Sequence, residues 1–431
     1  MSLFADLQWR GLVNQTTADE FLPSWLAGGS RTVYCGFDPT SDSLHVGSLL
    51  PVMLLRRFQK AGHRPIALVG GATGMVGDPT GKTDERKLLD AETLAANVAG
   101  IRSQLERFID FGDGAGGGQA AGSARLVNNY DWMGPITYLE FLRDVGKHFP
   151  VNIMLAKDSV KGRLERDSGI SYTEFSYMLL QAYDFVLLKR KFGCELQIGG
   201  SDQWGNITAG IDLARRMDGT QLYGMTCPLL LKSDGTKMGK TEKGAIYLSA
   251  AKTSPYAFYQ YWINTADVDA GMAIRFLTEL PHAEIEQLDA QRASEPHKRD
   301  SQKRLAEELT RLVHGDAGLA AARKATDIFF GAEIENLSDG ELTEIFADVP
   351  SKELTRDKLG GEGLPLVDAL VEAGLCKSKG DARRVVEQGG AYVNNRRQSG
   401  IDTKLAASHL ASETVMVLRS GKKSYALLKF V

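Results

Sequence analysis

TVYCGFDPTSDSLHVGSLLPVMLLRRFQKAGHRPIALVGG, residues 32 to 71, decides how this chain is to be read. TVYCGF at 32–37 and RPIALVGG at 64–71 are short apolar runs ending in turn formers, as strands buried on both faces do. Between them, VGSLLPVMLLRRFQKAGH carries apolar residues at helical spacing and stops at Ala61-Gly62-His63. A strand, a helix and a second strand of this length imply a right-handed parallel crossover, and such sheets gather ligands at the carboxyl ends of their strands. Residues 34–45 and 70–82 occupy those ends, so chemistry is sought there first.

Working outward, residues 170–192 look helical, and ELQIGG at 195–200 reads as another buried strand, followed by the loop SDQWGN. DGAGGGQAAGS at 113–123 reads as a surface loop without chemistry. From Ser254 to about Phe346 the pattern is helical, rich in charged neighbours four apart. Residues 348–364 mix charge, Pro and Gly, which suits a linker. Beyond it, PLVDALVEAG and SKGDARRVVEQGG read as helices with Gly stops, and AYVNN and TVMVLRSGKKSYALLKF as short strands. The expected fold is therefore α/β, with four parts. A Rossmann-like parallel-sheet domain spans 1–230, a lysine-rich loop and an α-helical domain span 231–347, a linker spans 348–364, and a small α+β domain spans 365–431.

A chain of 431 residues exceeds what one core usually organises, and 43% hydrophobic with 24% charged residues excludes a disordered or collagen-like protein. The first residues lack a basic segment followed by an apolar one, and no stretch approaches 18 uncharged apolar residues. A cytoplasmic protein is expected, with neither a membrane nor DNA as partner. Cys35, Cys194, Cys227 and Cys376 are far apart and form no CxxC pair, so neither a zinc site nor a disulfide framework is signalled. The net charge of -3 argues against a general polyanion binder. Yet residues 361–431 hold 11 Lys plus Arg against 7 Asp plus Glu, so any affinity for nucleic acid should concentrate there.

Two segments carry candidate chemistry. Asp38 to Ser48, DPTSDSLHVGS, runs from a strand end into a helix start, where free N–H groups and the helix dipole favour a phosphate. Taken alone, it reads equally well as a capped connection. Lys232 to Thr241, KSDGTKMGKT, sets three lysines in a Gly-interrupted loop able to close over a polyphosphate. A P-loop at GDPTGKT, residues 77–83, fails because Val76 stands where its first glycine is required, and no G-x-G-x-x-G fingerprint anchors a dinucleotide site. Tyr177, Gln181 and Asp184 fall at i, i+4 and i+7 on one helix face, where Gln and Asp would be odd core residues.

HVGS early and KMGKT late resemble the two signature motifs of class I aminoacyl-tRNA synthetases, and YCGFDPTSDSLHVGSL and GGSDQWGNITAG resemble those of the tyrosine-specific branch. GGATGMVGDPTGK, NNYDW, SYTEFSYMLLQAYDF, DGTKMGKT and SPYAFYQYWINT are similar to the same branch, so the likeness covers nearly the whole chain. The resemblance implies ATP-dependent activation of L-tyrosine and its transfer to a tRNA. It assigns Tyr34 and Asp184 to the phenolic hydroxyl of tyrosine, and Asp78, Tyr177 and Gln181 to its ammonium group. Asp38, Gly47, Asp202, Gln203 and Lys240 would hold ATP, and Thr40 and His45 would meet its γ-phosphate. Lys82, Arg86, Lys237, Lys240 and Thr241 would engage pyrophosphate as it leaves. No cofactor is bound permanently; magnesium would come with the ATP phosphates, and no protein metal site is expected.

The C-terminal part resembles an S4-type RNA-binding domain, which implies that Arg383, Arg384, Arg396, Arg397, Lys422 and Lys423 contact tRNA. A homodimer is implied by the resemblance alone. Three positions depart from the family pattern. Ser48 stands where a histidine or asparagine is common, while Gly239 and Thr241 replace the commoner serines of the lysine loop. Thr241 keeps the hydroxyl, and Gly239 reads as added flexibility. A non-catalytic RNA-binding relative and a tryptophan-specific enzyme of the same class remain as alternatives.

Overall fold

A computed structural model describes residues 1–80, 89–112, 122–165, 169–242, 244–334, 337–347, 349–421 and 424–431. The chain divides by compactness into two units, residues 1–254 with 258–315, and residues 255–257 with 316–431. The helical segment Asp300–Phe329 belongs to both, and Gly315 interrupts it with φ 74° and ψ 178°.

The first unit is built on a six-stranded sheet. Its strands are β1 (Gln15–Thr16), β2 (Thr32–Phe37), β3 (Arg64–Val69), β4 (Arg125–Asn128), β5 (Leu196–Gly200) and β6 (Tyr223–Cys227), in the spatial order β1-β6-β5-β2-β3-β4. All pairs are parallel except β1 on β6. β2 and β3 pair from Thr32 opposite Arg64 to Phe37 opposite Val69, so Asp38 and Gly70 emerge together from the sheet. The order reverses between β2 and β5, where Tyr34 lies opposite Gln197. Adjacent strands whose connections leave in opposite directions open a crevice at their carboxyl ends, and that crevice is where such sheets bind ligands.

Two helices wall the crevice. Val46–Lys60 starts directly from His45, and Tyr172–Phe192 is capped by the Ser171 side chain and closed by Gly193 at φ 65°. The second buries Leu179, Ala182, Phe185, Val186 and Leu188 in a core shared with Tyr34 and Leu68. A buried ion pair, Arg163 to Glu174 at 2.8 Å, braces its first turn. A short hairpin, β7 (Lys240–Thr241) with β8 (Gly244–Ala245), ends the lysine-rich loop. Helices Pro255–Ile263, Asp267–Leu277 and His282–Ser294 follow.

The second unit carries a five-stranded sheet in the order β12-β11-β14-β15-β9 and a two-stranded one, β10 with β13. These strands are β9 (Ser351–Leu354), β10 (Leu364–Pro365), β11 (Ala391–Val393), β12 (Arg396–Gln398), β13 (Lys404–Leu405), β14 (Val415–Ser420) and β15 (Ser424–Phe430). Residues 351–354, whose composition suits a linker, thus form a parallel edge strand on β15. Ile328, Leu342 and Phe346 share a core with Val415, Val417 and Leu427, which ties the end of the helical region to this sheet. Asn394 and Asn395, at φ 49° and 64°, turn β11 into β12 as a two-residue hairpin loop.

Candidate active site

At the switch point between β2 and β5 lies a cavity of about 290 Å³. It is lined by nine of the residues singled out in the sequence: Tyr34, Asp38, Asp78, Tyr177, Gln181, Asp184, Asp202, Gln203 and Lys237. A second cavity, about 280 Å³, shares Pro51, Gly200, Asp202 and Lys237 with the first and adds His45, Gly47 and Lys240. The two cavities adjoin.

The inner end of the first cavity is deeply buried. Tyr34 and Asp184 are each 1% exposed, and both line it. The Asp184 carboxylate accepts hydrogen bonds from Asn129 Nδ2 at 3.0 Å and Trp132 Nε1 at 2.7 Å. Burial nevertheless pushes its pKa up to about 7, with the two donors opposing the rise and the Asp38 charge adding to it. Burial, then the nearby Asp184, also drives Tyr34 well above the ordinary range. The Tyr34 hydroxyl and Gln197 Oε1 are buried without a protein partner. Buried polar atoms are costly to leave unpaired, so this end of the cavity is chemically incomplete without a ligand that hydrogen-bonds.

The network extends outward. Asn129 Nδ2 also donates to Thr73 Oγ1, which donates to Asp38 Oδ1 at 3.2 Å, and the Tyr177 hydroxyl donates to Asp38 at 3.3 Å. Gly70 makes this possible, since a Cβ there would lie 2.3 Å from Thr73 Oγ1 and 2.7 Å from Asp38 Oδ1. On the facing side, Asp78 accepts from Gln203 Nε2 at 2.9 Å, and Gln203 Oε1 accepts from Gln181 and Asn206. A carboxylate, a tyrosine and a glutamine here face one volume, a set suited to a primary ammonium group.

The outer end has a different make-up. His45, Thr40, Lys237 and Lys240 are exposed. Asp202 is exposed as a residue, yet desolvation of its carboxyl and the nearby Asp78 raise its pKa, against the pull of Lys237. Lys237 reaches both cavities and Lys240 the second. Thr40 and Thr241 line neither; Thr40 N–H donates to the Asp38 carbonyl, and the Thr241 hydroxyl to that of Gly244. Lys82, Arg86, Lys422 and Lys423 lie outside the described residues.

In the second unit, Arg383 and Arg384 are exposed on helix Lys379–Glu387, and Arg396 and Arg397 on β12. Arg396 pairs with Glu333 at 3.2 Å. Among the described residues, no group of three or more His, Cys, Asp and Glu could hold a metal ion.

Asn129, Trp132, Thr73 and Gln197 belong to the site without standing out in the sequence. Asn129 and Trp132 lie in NNYDW and Thr73 in GGATGM, stretches whose family likeness is visible although no role follows from it. Gln197 offers one signal, a polar residue inside an otherwise apolar strand.

Comparison with known proteins shows the family. The family model for tRNA synthetases class I (W and Y) matches residues 27–331, and that for the tyrosine–tRNA ligase SYY-like C-terminal domain matches residues 341–428. The tyrosine–tRNA ligase of Rhodopirellula baltica is 56% identical over 429 residues, covering 99% of this chain and 96% of that protein. That of Geobacillus stearothermophilus is 51% identical over 432 residues, all of both chains. The crystal structure of a C-terminally truncated Aspergillus nidulans mitochondrial tyrosyl-tRNA synthetase superposes with a TM-score of 0.67 at 32% identity, covering 76% of this chain and 94% of that one. With a class I cavity in place and likeness extending over both units, the chain belongs to the tyrosyl-tRNA synthetases.

Proposed function

We propose that the chain ligates tyrosine to its tRNA in two steps within these adjoining cavities. The tyrosine carboxylate attacks the α-phosphorus of ATP and pyrophosphate leaves. A hydroxyl of the terminal ribose of the tRNA then attacks the tyrosyl-adenylate carbonyl, releasing AMP. One observation carries the reading: the buried Tyr34 hydroxyl has no protein partner and shares a pocket with the buried Asp184 carboxylate, leaving a place for a phenol. A site built to hydrogen-bond a hydroxyl rejects the analogue lacking it, and tyrosine against phenylalanine is the known example of this rule.

Asp78, Tyr177 and Gln181 hold the substrate ammonium in this reading, and Asp38, Gly47, Asp202, Gln203 and Lys240 hold ATP. Thr40 and His45 meet the γ-phosphate. Lys237, Lys240 and Thr241, with Lys82 and Arg86, take up the charge of departing pyrophosphate. The attacking carboxylate is already ionised, so no general base is needed and the rate comes from positioning and electrostatic stabilisation. Magnesium would enter on the ATP phosphates.

The S4-like C-terminal unit contacts tRNA through Arg383, Arg384, Arg396 and Arg397, together with Lys422 and Lys423. The protein works in the cytoplasm; no helix among the described residues is long and apolar enough to cross a membrane. It works there as a homodimer. Its contact surface in this reading includes exposed apolar residues between 130 and 172, among them Tyr138, Leu139 at 76%, Val151 and Tyr172.

ATP–pyrophosphate exchange with each of the twenty amino acids, without tRNA, tests the reading. Exchange with tyrosine alone is expected. Exchange with tryptophan would overturn the roles of Tyr34 and Asp184, and exchange with none would make the chain a non-catalytic RNA-binding relative.

A further inference from the structure

SPYAFYQYWINT, residues 254–265, enters neither cavity, although the sequence marks it as strongly as the segments that do. Its Tyr261 does something specific. The Gly239 N–H, in the middle of KMGKT, donates to the Tyr261 hydroxyl oxygen at 2.6 Å. At the other end of the same loop, the Ser233 N–H donates to Asp269 Oδ1 at 2.7 Å. Tyr261 stands near the end of helix Pro255–Ile263, and Asp269 in the first turn of helix Asp267–Leu277. Asp269 is 5% exposed and Gly239 is buried. The first contact therefore satisfies a main-chain donor that water reaches poorly, and the second ties the exposed Ser233 to a buried carboxylate.

Between these two points lies Lys237, and Lys240 follows directly after Gly239. The loop is stitched to the other signature segment as well. Ile246 N–H donates to the Gly239 carbonyl at 2.8 Å, and Val46 N–H to the Ile246 carbonyl at 2.9 Å. Gly239 adopts φ 83°, and a Cβ on it would fall 2.6 Å from Val46 Cβ. Its lack of a side chain thus lets the loop backbone lie against the start of the Val46–Lys60 helix, a packing role where the sequence suggests flexibility.

We propose that Tyr261 and Asp269 are positioning residues for adenylate formation, clamping the two ends of the lysine loop so that Lys237 and Lys240 face the departing pyrophosphate. This rests on the assignment of those lysines made above. The clamp acts on the first step only, because pyrophosphate has left before the tRNA hydroxyl attacks. Neither residue lines the first cavity, and Lys237, which does, is not among the groups assigned to tyrosine, so tyrosine binding should change little.

The test compares the full-length wild type with Y261F, D269A, D269N and K237A in three measurements. These are the single-turnover rate of adenylate formation, the tyrosine Kd without ATP, and the transfer rate from preformed adenylate to tRNA. Y261F keeps the ring but leaves a buried N–H without an acceptor, and should slow adenylate formation about 10-fold. Tyrosine Kd and transfer should stay within about twofold, a split that a general folding defect would not produce. D269A should behave like Y261F, while D269N, which keeps an acceptor oxygen, should retain most of the wild-type rate. An unchanged first step in Y261F, or equal losses in all three measurements, would overturn the clamp. If K237A is slow and Y261F is not, the clamp alone fails; if K237A is as fast as wild type, the reading of the loop falls and the clamp with it.

Discussion

At the inner end of the catalytic cavity, Asp184 and Tyr34 are each 1% exposed and the carboxylate is held by two side-chain donors from the segment after β4. At the outer end, Lys237, Lys240 and His45 are exposed, and the lysine loop is anchored through its main-chain N–H groups at Gly239 and Ser233. In the function proposed above, the contrast follows from what each end must do. Telling a phenol from a phenyl ring depends on one hydrogen bond, which discriminates only where water cannot compete and geometry is preset. Neutralising a polyphosphate depends on charge, whose reach tolerates freedom in long side chains provided the backbone brings them near.

Three outcomes would sharpen or break that contrast. The largest is at the outer end: Lys237→Ala should lower the rate of adenylate formation by about 10² or more, as for other groups that stabilise transition-state charge, with tyrosine Kd unchanged. A matching loss of tyrosine affinity would show that the two ends are not separate devices. At the inner end, Asp184→Asn should reduce kcat/KM for tyrosine about 10- to 100-fold, the value of a hydrogen bond to a charged group, while phenylalanine activation scarcely changes. Exchange kinetics with both amino acids measure this, and an unaltered tyrosine preference would remove Asp184 from the specificity role.

The smallest effect is on stability. Asp184 has a folded pKa of about 7 against an unfolded model value of 3.8, so its proton stabilises the folded state fully below about 4. That contribution is lost as the pH rises through about 7. The melting temperature of the wild type minus that of Asp184→Asn should therefore fall between pH 5 and pH 8. A constant offset across that range would mean that the carboxyl titrates normally.

Much of this architecture is legible in the sequence itself. The switch from a strand run to helical spacing and back over residues 32–71 marks the crossover, and the spacing of Tyr177, Gln181 and Asp184 marks a polar helix face. Asn129 and Trp132 cannot be read that way. Their role exists only because β4 pairs beside β3 and carries NNYDW toward a helix more than forty residues later, a long-range adjacency that local periodicity does not encode. β9 escapes such a reading for the opposite reason. Three of its four residues, Ser351 to Glu353, are exposed, so this edge strand lacks the alternation that identifies a strand and looks like a linker. Gly239 shows a third limit: a glycine announces conformational freedom in sequence, whereas here it permits one left-handed, closely packed conformation.

All four cysteines are buried and free, and burial pushes each thiol above its ordinary pKa. Thiolates, not thiols, react with maleimides and alkylating agents, so the native chain should be nearly silent to such reagents at neutral pH. A single cysteine placed on the exposed lysine loop, at Asp234 for instance, would then be the one position to take a dye. The surroundings of that loop could then be followed optically through a catalytic cycle without first stripping the protein of its own sulfur.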